Sequence, residues 1–422
     1  MATPFRHRGF TLLWTAGLIS ITGDWMLMVA VPVTVLGITG SSAATAASFA
    51  AALLPRVVAA PVAGVLVDRW DRRHALIGAA LIEALLVLPL MTVDRAGDLW
   101  IVIATTFGTG CVAQVLLTAE NALLPTLVED DERARANSLN VLNNNLARLI
   151  GPAVGGVLTA SFGLKAVAAL DAATFLAAAG LVVLVRTRRP RAKADVTTAG
   201  VAARFWSELR GGLAVVRTVP TVRVLFVFLA IISFGEGVMG TMIVVFVDRA
   251  LDGGPRDLGW LVAAQAIGGI AGGLLGGVIG DRVPARLLIG LGTIGLGAGD
   301  LVIFNYPHWY VGVWPALVLM AAVGVPGALA NAGLMTMLQT AVDDRLRGRV
   351  FGAALTVMAL VALGGTATCA ALGDRLGPVT LLNIQGIGMV VGGLYVLRAL
   401  RPAISGVTPA TQRTSTTAGR TA

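Results

Sequence analysis

Twelve stretches of this sequence run for about 20 residues or more with hardly a charged side chain, and about 20 apolar residues is what one crossing of a bilayer needs. They lie near 10–37, 43–67, 74–93, 99–127, 137–160, 164–186, 222–248, 257–280, 285–304, 310–340, 349–372 and 378–399. Clusters of charged or turn-forming residues separate them at 68–73, 94–98, 129–135, 248–257, 343–349 and 373–378. Only 13% of the 422 residues are charged, against about 25% in soluble domains. That is too few to coat a globule of this size, so the expected solvent is lipid and the expected fold is an all-α membrane protein with twelve transmembrane helices. The first apolar run, from Phe10 to Ile38, is longer than the core of a cleaved signal and reads as a retained helix.

The formal net charge of +9 raises the question of nucleic acid. The basic residues, however, fall in short clusters between apolar runs, a pattern that sets membrane topology. With the N-terminus inside and twelve crossings, 25 of the 32 Lys and Arg lie on the inner side and 5 in outer loops; Arg56 and Arg148 lie within helices. One missed crossing would invert the later loops and spoil this bias. Both termini are therefore expected on the cytoplasmic side of a cell membrane, with no nucleic-acid partner. Trp100, Trp260, Trp309 and Trp314 fall at outer helix ends, where an indole keeps one wet side. Cys111 and Cys369 sit inside apolar runs and read as small buried residues. Four regions result: a first bundle over 1–186, a basic linker over 187–221, a second bundle over 222–400 and a disordered tail over 401–422. Within the linker, Phe205, Leu209, Leu213 and Val216 recur at helical spacing, which suits an amphipathic helix on the inner leaflet as well as it suits a solvated connection.

The halves repeat each other. Gly64, Asp68, Arg69 and Arg73 recur as Gly277, Asp281, Arg282 and Arg286, shifted by 213. Asp130–Asp131 recurs as Asp343–Asp344 at the same shift, and Gly23–Asp24 recurs as Gly235–Glu236, shifted by 212. A duplicated six-helix unit facing the same way twice is the direct inference, and such halves place a site at their interface near mid-bilayer.

These features resemble the major facilitator superfamily. Gly64, Asp68, Arg69, Arg72 and Arg73 are similar to that family's inner loop motif between helices 2 and 3, with Asp71 where the common form has glycine; Gly277–Arg286 is its weaker echo. Arg148, Gly151, Pro152, Gly155 and Gly156 resemble the motif of drug/proton antiporters. Leu124–Pro125 and 137–139, Asn-Ser-Leu, resemble the exporter branch that includes macrolide and siderophore efflux proteins. The resemblance implies two pseudo-symmetric six-helix bundles, an inner loop that gates alternating access and a helix 5 bent at its glycines.

Charges inside the spans carry the functional reading, because a central Asp or Arg costs about 2.5–3.5 kcal/mol on insertion scales. Asp24 and Glu236 lie mid-helix, Arg56 and Arg148 lie in the second and fifth spans, and Glu83, Glu120 and Asp171 fit structural roles better. A carboxylate in low dielectric favours its neutral form and can take up and release a proton. Asp24 and Glu236 are thus the leading proton carriers; the alternative is a static salt bridge with Arg56 or Arg148. Met26, Met28 and Met239 flank these acids. No phosphate-binding loop and no metal-spaced His/Cys set occurs in the sequence. The expectation is a monomeric secondary exporter of small amphipathic molecules by proton antiport, without cofactor or enzymatic activity. A metabolite importer and a non-transporting receptor are the rivals.

Overall fold

In a bilayer each span must satisfy its own backbone hydrogen bonds, which a helix does within one segment. The computed structural model describes the backbone of residues 4–186, 198–280, 282–342 and 344–400, and every regular element among them is helical. Asp281 of the gating motif and the tail 401–422 lie outside the described residues. In chain order the α-helices are α1 (Arg8–Thr39), α2 (Ser42–Leu53), α3 (Pro55–Val58), α4 (Ala60–Arg69), α5 (Arg72–Val87), α6 (Leu99–Leu123), α7 (Arg133–Val183), α8 (Thr198–Thr218), α9 (Pro220–Ala250), α10 (Pro255–Ile279), α11 (Ala285–Asn305), α12 (Trp314–Thr340) and α13 (Asp344–Ala399).

Among the described residues nine helices are long and apolar enough to cross a membrane, or ten when the pair 42–58 and 60–69, bent by 51°, counts as one. Pro55 and Pro61 stand at the first positions of α3 and α4. Each lacks the N–H that would continue the ladder, which places the bend there. Helices α7 and α13 run 51 and 56 residues, far beyond one crossing. Each is interrupted by one glycine in the left-handed region, Gly163 at φ 73° and Gly377 at φ 75°. The sequence placed a turn cluster at 373–378 and a gap between spans at 161–163, but a single glycine and not a loop divides each helix. Only a residue without a β-carbon enters that region freely.

Lipid is as apolar as leucine, so helices gain by close van der Waals approach and small residues mark the contacts. The Gly268 and Gly272 stripe of α10 lies against α12: a β-carbon on Gly268 would overlap the Ala321 carbonyl, and one on Gly272 would fall 2.5 Å from the Val325 carbonyl oxygen. Large apolar side chains such as Leu85, Leu274 and Leu355 point outward, as a lipid-facing belt requires.

Inner denotes the arginine-rich face of the bundle and outer the opposite face. On the inner side each half packs its own core, Phe10, Leu76, Leu123 and Val182 in the first half and Leu225, Phe228, Ile289 and Leu334 in the second. On the outer side one core spans both halves: Val29, Leu36 and Ala46 pack with Val245, Phe246, Leu258 and Phe304. The linker forms helix α8, whose Val215 is buried in the second half's inner core and whose Gly212 backbone meets Arg349 and Ala353 of α13.

Candidate functional site

The glycines of the antiporter-like motif set how closely α7 meets its neighbours. A β-carbon on Gly151 would overlap Trp25, and one on Gly155 would fall 2.6 Å from the Met26 Cα, so this face of α7 lies on α1. Gly156 turns to the other half, where its β-carbon would lie 2.6 Å from the Pro255 carbonyl oxygen; a β-carbon on Gly259 would overlap the Pro152 carbonyl. Backbone thus meets backbone across the seam. In the helix expected to bend at its glycines, Gly151, Gly155 and Gly156 keep helical φ and ψ, and the non-helical residue of α7 is Gly163.

One turn before Gly151, Arg148 reaches over the same seam. Its Nη2 donates to Gln265 Oε1 of α10 at 2.7 Å, and its guanidinium lies 5.5 Å from the centre of the Trp25 ring. A cation over an indole face is favourable when desolvated. The charge of Glu236, on α9, acts on Arg148 from the second half. Arg148 and Glu236 are therefore brought together, though at longer range than an ion pair. Asp24 precedes Trp25 on α1 and is exposed, as is Glu236. The other neighbour of Asp24 on α1, Gly23, packs against Asp171 and Thr174 of α7. Arg56 is exposed and forms no ion pair with Asp24 among the described residues. Glu120 of α6 and Asn143 of α7 meet at Gly17 of α1, where Asn143 donates to the Trp14 carbonyl at 2.7 Å.

The inner loop motif divides its labour. Asp71 caps α5, accepting from the Arg73 and His74 amides at 3.0 and 3.1 Å, which gives a physical reason for an acid where the family form has glycine. Arg72 donates to the Ala122 carbonyl at 2.8 Å, and Arg73 to the Val182 carbonyl at 3.2 Å and to that of Val183. Both cations thereby sit on helix C-termini, where the backbone dipole favours them. Asp68 is exposed, and open space surrounds Gly64 and Gly277. Arg282 is exposed, and Arg286 borders a cavity of about 470 Å³ with Thr221 and Met337.

Sequence reasoning missed three polar residues. Gln265 carries no charge and escaped a count of charges. Asp300, buried on α11, accepts from Gln385 Nε2 at 3.0 Å; it is a lone acid within an apolar run, the same signal that singled out Asp24. Asp374 anchors the outer face. It accepts from the Ser42 amide at 3.1 Å and lies 3.6 Å from Arg249, which donates to the Gly40 carbonyl at 2.8 Å. This latch joins the α1–α2 turn to α9 and α13, so the seam is shut on its outer side. Removing it with Arg249→Ala should cost about 1 kcal/mol, the net worth of one such bond, and open the outer seam roughly fivefold more often. The check is labelling of Ser42→Cys, fully buried when latched, by an impermeant maleimide in a background lacking Cys111 and Cys369. An unchanged rate would show that the latch does not hold the seam.

Comparison with known proteins agrees with this architecture. The sequence profile described as Major Facilitator Superfamily matches residues 13–366 and 225–419. The chain is 24% identical to the uncharacterized MFS-type transporter YfiS of Bacillus subtilis over 93% of this chain and 94% of the relative. It is 27% identical to the enterobactin exporter EntS of Salmonella typhi over 93% and 92%, and 28% identical to the multidrug efflux pump Tap of Mycobacterium bovis over 94% of each. A duplicated helical chain, a polar seam between its halves and a family profile matching almost its full length lead to one conclusion: this multi-pass membrane protein belongs to the major facilitator superfamily and is a transporter, not an enzyme.

Proposed function

We propose that the protein exports small amphipathic organic molecules in exchange for protons, by alternating access at the seam between two six-helix halves. Its halves span 1–186 and 222–400, joined by the linker 187–221, and both termini face the cytoplasm. The two broken helices and the bent pair bring the candidate crossings to twelve, which suits this topology. The observation that carries the reading is the cross-seam group of Arg148, Gln265, Trp25 and Glu236, with Asp24 beside it. Ionisable groups from both halves meet where a change of charge can favour one arrangement of the halves over another. Relatives named as exporters support the direction. An apolar groove of about 390 Å³ lies between α7 and α10, lined by Leu149, Ile150, Trp260 and Ile267 among others, and offers a surface to the apolar part of an amphipathic molecule.

Everted membrane vesicles test this. With an acidic interior they should accumulate a fluorescent lipophilic cation only when they carry the protein, and an uncoupler should abolish the difference. Accumulation that ignores the uncoupler would remove proton antiport. Movement out of the vesicles under the same gradient would favour import.

A further inference from the structure

Behind Asp24, the first half holds two further acids that neither the family motifs nor the seam uses. Asp171 on α7 and Glu83 on α5 are 0% and 1% exposed. Asp171 Oδ2 and Glu83 Oε2 have no hydrogen-bond partner. The place of Asp171 exists because residue 23 is glycine: a β-carbon there would overlap Asp171 Oδ1 and fall 2.6 Å from the Thr174 hydroxyl. Helix α5 packs on α7 beside them: Ala80 and Ala84, which flank Glu83, share a buried core with Phe175 and Ala179, the first of these one turn beyond Asp171, and the charges of Asp171 and Asp24 are near enough to act on Glu83. On α6, the Cys111 thiol also feels Glu83, and Thr174 lies 3.3 Å from Asp171 Oδ1. No arginine stands among these interactions in the described residues.

The second half contains the same arrangement with different chemistry. Gly235 is the repeat of Gly23, and a β-carbon on it would lie 2.9 Å from Gln385 Cγ. Gln385 thus takes the place of Asp171, shifted by 214 in sequence. The buried acid of that half, Asp300, sits one helical turn from the repeat of Glu83 and receives the Gln385 amide at 3.0 Å. There the Gln385 N–H supplies a donor to one carboxylate oxygen, Oδ2, while Asp300 Oδ1 has no partner. In the first half both partners are acids, and the one neutral donor, the Thr174 hydroxyl, is shared between Asp171 Oδ1 at 3.3 Å and the Asp171 carbonyl at 2.7 Å, so an acidic proton is needed at the remaining oxygens; two neighbouring buried carboxyls cannot both ionise at low cost.

We propose that Asp171 and Glu83 hold one transported proton between them behind Gly23 and exchange it with Asp24, so that the three acids form a single proton-binding site. The step moves a proton alone: an O–H bond on Asp24 breaks as one forms on Asp171, so Asp24 gains a negative charge and the Asp171–Glu83 pair loses one. Asp24 meets the seam and loads the site; the buried pair stores the proton away from it. This rests on the proton-antiport reading above and extends it to two residues that touch no substrate.

The test uses the full chain in nanodiscs. Dicyclohexylcarbodiimide, which attacks protonated carboxyls in apolar surroundings, should modify Glu83 or Asp171 on peptide mapping, less so as pH rises. A pH indicator should register protons released when tetraphenylphosphonium is added. Asp171→Asn gives the first half the amide that the second already has, so it should fold, yet release should fall at least twofold. Glu83→Gln should do the same from the other side and serves if Asp171→Asn does not fold. Wild-type release in both variants, with neither acid labelled at any pH, would overturn the site while leaving antiport standing. No release from the wild type, together with no gradient-driven uptake in vesicles, would overturn antiport itself.

Discussion

Asp24→Asn should insert and fold as the wild type does, yet accumulate a lipophilic cation in everted vesicles no better than membranes lacking the protein. The substitution keeps the shape of the side chain and removes only its ability to ionise. Insertion should not suffer, because a charged carboxyl at mid-helix is the costly form, by about 2.5–3.5 kcal/mol. The rival role, a static ion pair, makes the opposite forecast for stability. Breaking a buried pair strands its partner's charge and costs about 3–5 kcal/mol. Asp24 forms no ion pair with Arg56 or Arg148 among the described residues, and Arg148 already has Gln265 and Trp25. Thermal melting of purified protein together with vesicle transport therefore separates the two roles: lost transport with unchanged melting supports a proton carrier, whereas a lowered melting point supports a strut.

Gly156→Leu should abolish transport by a different route. The atoms its side chain would meet are backbone, the Pro255 carbonyl oxygen at 2.6 Å and the Gly259 Cα at 3.1 Å, and backbone in two packed helices cannot step aside as a flexible side chain can. The halves should then fail to close at the outer seam. Ser42→Cys, buried in the latched form, should label as fast as an exposed cysteine. Gly259→Leu should act alike from the facing helix. Gly180→Leu, where open space surrounds the new β-carbon, should transport normally and shows that bulk alone is not the cause.

These expectations draw unequally on sequence and structure. Apolar run length dictated the helices, and the breaks at Gly163 and Gly377 fall where turn residues interrupt the runs. The repeat located Gly23 and Gly235 in register before any coordinates did. What a single sequence conceals is which face of an apolar helix meets protein, because lipid and bundle interior favour the same residues. Asp171 and Glu83 read as structural for that reason; the seating of Asp171 against Gly23, and of α5 against α7 beside it, needs the packing of the helices. Gln265 and Ser42 carry no charge, so a search for costly groups passed over them. The latch also joins residues more than 300 positions apart, Ser42 and Asp374, a pairing that no local pattern encodes.

The account rests on protonation of the first-half acids deciding how the halves sit. Spin labels on Gly37→Cys, which faces open space near the outer end of α1, and Arg375→Cys, exposed beyond the seam, read the outer separation directly. Two distances are expected in the wild type, with their balance shifting with pH, and Asp24→Asn should stay fixed at the wild type's low-pH balance. A single distance at every pH, or an Asp24→Asn variant that titrates as the wild type does, would contradict it.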